Sequence, residues 1–95
     1  MTRSIQVREK EFVLTKQLLR SGTAIGALSE EAQQAESKAD FIHKLSIANK
    51  EAHETHYWLR LIRDSGVAKD IDDLIEQAEE LKWLLISIIK SSKRT

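Results

Sequence analysis

The chain contains no cysteine. Neither a disulfide framework, nor a thiolate nucleophile, nor a cysteine-based zinc site can be built from it, and nothing marks an oxidising compartment, so the cytoplasm is the default localisation. Proline is absent and glycine occurs three times, which removes almost every helix breaker. Charge of one sign is not in excess. Fifteen Lys+Arg balance fifteen Asp+Glu, with a formal net charge of zero and a pI near 6.8, so bulk charge makes no case for nucleic acid or an anionic membrane. No apolar run approaches the roughly 20 residues of a membrane span. The start, Met1-Thr2-Arg3-Ser4, lacks the apolar segment of a signal peptide. At 95 residues and 10.9 kDa the chain has room for one small domain.

What is present is helix-forming. Leu14, Leu18, Ser21, Ile25, Leu28, Ala32 and Ala35 recur at alternating steps of four and three, laying one stripe along a helix. Phe41, Leu45, Ala48, Ala52, Thr55, Leu59 and Ile62 repeat the rhythm, and Ile71, Leu74, Ala78, Leu81, Leu85 and Ile88 do so again. The expected fold class is all-α, an antiparallel up-down bundle in a single domain over residues 1–95, with helices over about 8–36, 38–64 and 70–92. Ser37 with Asp40 three residues on resembles a capping box at the start of the second helix. Asp64-Ser65-Gly66 supplies a left-handed stop at its end. Asp70 with Asp73 can cap the third helix, whose acidic start and basic end complement the helix dipole. The short connection from Ser65 to Lys69 makes the second and third helices antiparallel neighbours.

Each stripe is broader than one three-helix core needs. Phe12, Leu19 and Ala24 flank the first, Ile42, Ile47, Trp58 and Leu61 the second, and Ile75, Trp83, Leu84 and Ile89 the third. A chain this small is marginal alone, and the surplus apolar surface predicts a homo-oligomer.

Lys16 to Ala27, then Glu31-Ala32, Lys38 to Ala48, Lys50-Glu51-Ala52, Glu54-Thr55 and Tyr57-Trp58-Leu59 resemble the bacterial four-helix-bundle protein family. Its first members were described as products of intervening sequences in 23S ribosomal RNA genes. The chain is similar also to the accessory variability determinant proteins of diversity-generating retroelements. The resemblance runs from about Glu11 to the C-terminus. It implies an up-down four-helix protomer assembled as a homopentamer, with no known enzymatic activity and, for most members, no known role. Members typically carry Ser at the position of Ala24 and Asn at that of Leu28, so a polar patch is replaced here by apolar groups. The family also has a further helix ahead of Glu11, where this chain has ten residues with Ile5 and Val7 as their internal apolar side chains. The expectation is a family member without its first helix, leaving a groove lined by Leu18, Ile25, Leu45 and Leu85.

Motifs for chemistry are sparse. Arg20 to Gly26 has glycines but neither the strand nor the Lys-Ser/Thr ending of a phosphate loop. Gly22 and Gly26, one turn apart, predict close helix packing instead. His53 and His56 do not match a zinc or di-iron motif, since Lys50 sits three before His53, and both are read as polar surface residues. His43 is read as a partly exposed packing residue. Glu51 and Glu54 predict an inter-helix ion pair with Arg20. Tyr57 and Trp58 point about 100° apart, so one packs while the other sits at an interface or accepts a ligand, and burial in the core or an interface is the expectation for them. No catalytic residue, cofactor or metal ligand is assigned, and the chain is expected not to be an enzyme. It is read as an assembly or scaffold protein. The alternative is a nucleic-acid-binding accessory protein for RNA or DNA, with a reverse transcriptase or ribosomal RNA as partner. It would act through Lys90, Lys93 and Arg94 if an oligomer gathered its basic ends into one rim.

Overall fold

The computed structural model describes the backbone of residues 2–94 and the side chains of residues 8–94. Among the described residues it has three α-helices, α1 (Thr2–Gln33), α2 (Lys38–Asp64) and α3 (Asp72–Arg94). The all-helical class agrees with the apolar rhythm. The first helix is longer at its start than the expected 8–36, because the segment before Glu11 continues α1. The side chains of Ile5 and Val7 lie outside the described residues. At its other end α1 tightens into a last turn, with the N–H of Gln34 donating to the Glu31 carbonyl at 3.0 Å and that of Ala35 to Ala32 at 3.1 Å.

Ser37 then caps α2. Its backbone is extended, and its hydroxyl accepts from the Asp40 N–H at 3.0 Å, satisfying a donor that the first turn leaves free. At the far end Gly66 takes a φ of 81°. The N–H of Val67 reaches the Ile62 carbonyl at 3.2 Å, and that of Gly66 reaches Arg63 at 3.1 Å. This pair of bonds is a Schellman motif, which needs the left-handed residue that glycine accepts without a Cβ clash. Asp70 does not cap α3 as its spacing predicts. The helix begins two residues later, with the Ile71 carbonyl accepting from Ile75. Arg63 donates to Asp72 and to Asp64, both at 3.0 Å, and so clasps the end of α2 to the start of α3.

The register of the helices is set by polar pairs inside and beside the apolar stripes. Ser21 is fully buried and its hydroxyl lies 2.9 Å from that of Thr55. Higher up, Lys44 meets Glu31 at 3.6 Å. These pairs make α1 and α2 antiparallel. Arg63–Asp72 and His56–Glu79 do the same for α2 and α3, so α3 runs parallel to α1. The core gathers Ile25, Ala32, Leu45, Ala48, Ala52 and Leu85, with Phe41, Leu28 and Ile88 against it. Ala48 is completely buried, since a small side chain there lets α1 approach α2.

The three helices do not close into a triangle. Both α1 and α3 pack on α2, yet among the described residues no Cα of α1 lies within 8 Å of a Cα of α3. With extents of 58 × 22 × 13 Å the cross-section is an open V with α2 at its vertex, because a closed trio at the usual 8–10 Å spacing would be nearly as thick as wide. The expected groove is thereby corrected in part, since Leu18 and Ile25 line the cleft that opens whereas Leu45 and Leu85 do not. Ile25, Leu45 and Leu85 are buried within the protomer, since the three helices already meet at that level. Leu18 alone of the four stays half-buried. The opening lies lower in the V, a cleft of about 430 Å³ lined by Leu18, Ile25, Leu59, Leu74 and Leu81 among others.

Replacing Leu45 by Ala should cost about 2–5 kcal/mol, because the close-packed helices around it cannot collapse into the void. Gly66→Ala should cost about 1 kcal/mol through its left-handed backbone alone. Urea unfolding at one fixed protein concentration checks both, as a lower midpoint at unchanged slope.

Candidate functional site

Charged side chains along the helix seams pair helices to one another. Arg20, on the α1 flank nearest α2, brings its guanidinium 3.3 Å from Glu51 and also onto Glu54. Glu51 and Glu54 are three residues apart on α2 and therefore on one face. Hydrogen bonds to Glu51 first, and to Glu54, raise the Arg20 pKa above its ordinary value. Glu51 is the more enclosed carboxylate, and its Oε2 is buried without hydrogen-bond geometry to any partner. Asn49 Oδ1 and the Trp58 Nε1–H share that condition.

Gly22 and Gly26 are exposed, and a Cβ built on either would meet nothing within 4 Å. The close packing that their spacing predicts is not made within the protomer, because α2 approaches α1 from another side. Tyr57 stands exposed while Trp58 is half-buried, and their rings meet edge to face at 5.1 Å. His43 and His53 are exposed.

His56 departs from the surface reading. It is half-buried between α2 and α3, with Nε2 3.1 Å from Glu79 Oε2. Lys82 Nζ reaches the same oxygen at 3.0 Å, and Trp83 Nε1 donates to the other at 3.0 Å. Glu79 therefore gathers three nitrogens, two of them donors from the next turn of its own helix. Its residue type and spacing to Lys82 and Trp83 are legible in sequence, but the meeting with His56 depends on how α3 is rotated against α2. Burial, then the nearby positive charge of Lys82, push the His56 pKa down despite Glu79. The hydrogen bond from Lys82 leads in pulling the Glu79 pKa down. His56 is thus biased toward its neutral form, in contact with a carboxylate that stays ionised.

Lys90, Lys93 and Arg94 are exposed at the last turns of α3. The antiparallel order puts them at the opposite end of the molecule from Arg8 and Lys10, and at the same end as Glu30, Glu31, Glu36 and Asp40. Within one protomer the basic segments of the chain do not share a rim. Among the described residues no three His, Asp or Glu side chains gather as for a metal ion, and no helix is long and apolar enough to cross a membrane.

These features define the class of small all-α helical-bundle proteins, whose polar groups mostly set helix register. The chain belongs to the 23S rRNA-intervening sequence protein family, which matches residues 1–87. That match takes in the opening turns of α1 as well as the stretch from Glu11 onward. A crystal structure of a protein of unknown function from the S23 ribosomal protein family, from Bacteroides thetaiotaomicron VPI-5482, is 52% identical. It superposes with a TM-score of 0.81 over 86% of this chain and 78% of that one. No curated protein matches the chain.

Both downward shifts have the same sign of effect on stability. A folded His56 with a lowered pKa binds fewer protons than the unfolded chain, so stability declines as pH falls below the ordinary 6.5. Glu79 adds a second decline as pH falls below its ordinary 4.5. Thermal melts from about pH 7.5 down to about pH 5.5 should show a falling midpoint, and His56→Gln should flatten that slope because it removes the titrating imidazole while leaving a polar side chain beside Glu79.

Proposed function

We propose that this protein is a non-enzymatic, self-assembling helical bundle that serves as an assembly or scaffold protein, in the cytoplasm. The observation that carries the reading is the open V. A cleft with an apolar lining runs between α1 and α3, and Leu74 and Leu84 stand about half exposed on α3. Exposed Trp83 adds to that surface. Apolar surface of this extent on so small a chain marks an association face. With α1 and α3 each packed on α2 and the cleft between them, the arrangement supports reading the protomer as a four-helix bundle with one position left open. The family resemblance makes a homopentamer the first stoichiometry to test.

Nucleic acid is the alternative partner, reached through Lys90, Lys93 and Arg94. It draws less support from the geometry, because acidic groups share that end of the molecule with these cations. RNA retention that fell steeply with salt, and was lost on charge reversal of the three, would favour it.

Light scattering at tens of micromolar should return a mass that is a multiple of 10.9 kDa, five-fold in a pentamer. A species of single-chain mass with cooperative unfolding would overturn the self-assembly reading.

A further inference from the structure

Besides its buried stripe, α1 carries a second one. Arg8, Phe12, Thr15, Leu19, Thr23, Gly26 and Glu30 follow at steps of 4, 3, 4, 4, 3 and 4, which keeps them on a single face. At 100° per residue that face lies roughly 140° around the helix from the Leu14–Ala32 stripe. All seven residues are exposed, with Phe12 at 67% and Leu19 at 66%.

The order of steps is the same read from either end, with Leu19 at the centre. Four residues out stand Thr15 and Thr23, seven out Phe12 and Gly26, eleven out Arg8 and Glu30. From this symmetry we infer that α1 pairs with α1 of a second copy, antiparallel, about a two-fold axis at Leu19. This goes a step beyond the self-assembly reading, on which it rests, by naming one face and its geometry.

In that pairing each member of the stripe meets a complement. Phe12 lies over Gly26 of the partner subunit, where the missing side chain leaves open space on this surface. The shallow hollow of about 380 Å³ beside Leu19, lined by Thr15, Leu18, Leu19, Gly22 and Thr23, receives the partner's Leu19. Thr23 turns its methyl outward, because its hydroxyl is engaged with the Leu19 carbonyl at 2.8 Å and that of Arg20 at 3.1 Å. Arg8 comes opposite Glu30 of the partner subunit, once at each end. A parallel pairing would set Arg8 against the partner's Arg8 and Glu30 against the partner's Glu30, so charge selects the antiparallel arrangement. An isologous face of this kind builds dimers, or joins two rings formed through the cleft.

The full chain lacks cysteine, so Leu19→Cys introduces a single thiol at the two-fold axis. Under mild oxidation it should cross-link into a covalent dimer, whereas Tyr57→Cys, exposed on α2, should not. Leu19→Lys should weaken this self-association at least about tenfold. Arg8→Glu and Glu30→Arg should each weaken it, and the double variant should restore it, with helicity by circular dichroism unchanged throughout because all these positions are exposed. If Leu19→Cys cross-links no better than Tyr57→Cys while the protein stays oligomeric, the α1 face is wrong and self-assembly through another face stands. A wild-type protein of single-chain mass at tens of micromolar would overturn both.

Discussion

The seam between α1 and α2 is the constraint on which the other features depend. It closes because its central residues are small: Ser21, Ala48 and Ala52 are all but fully buried, and no long side chain holds the backbones apart. Inside this seam the Ser21 and Thr55 hydroxyls meet, and along its edge Arg20 spans Glu51 and Glu54. A slip of one turn would part the two hydroxyls, leaving each only the carbonyl of its own helix, and would mismatch three charges, so polar groups choose the register while apolar area supplies the stability. The ion pair itself is half-exposed and adds little energy; its use is in alignment.

The position of α3 follows from that seam. With α1 on one side of α2, α3 takes the other, clasped at its start by Arg63–Asp72 and along its length by His56–Glu79. The core is dense where Ile25, Leu45 and Leu85 meet and opens toward Leu59 and Leu74. Among the described residues, the inside of the V and the far side of α1 are therefore left without intramolecular cover. The first is broad and apolar. The second is a narrow stripe with a large group, a gap and opposite charges placed symmetrically about Leu19.

Membership of the 23S rRNA-intervening sequence protein family fits a molecule whose residues serve packing. The pairs that sequence spacing brings to attention, Arg20 with Glu51 and Glu54, join helices. The histidine that departs from its surface reading, His56, also joins helices, through Glu79. In each case a titratable group is held by a neighbour on the facing helix.

The helices themselves were legible in the sequence, because a chain without proline and with 3.6-residue apolar periodicity has few other solutions. Ser37 and Gly66 announced two of the ends, since capping is local chemistry between residues a few positions apart. The family resemblance was legible as well, carried by a long ordered run of residues. The rotation of each helix about its axis was not, and it decided most of the site. It brought His56 onto Glu79, left Gly22 and Gly26 facing open space, and buried three of the four residues expected to line a groove. The start of α3 likewise fell past Asp70, at Asp72, where Arg63 of the facing helix meets it. Periodicity states which residues share a stripe, but whether two stripes meet depends on how neighbouring helices fill the space between them, which only the packed structure settles.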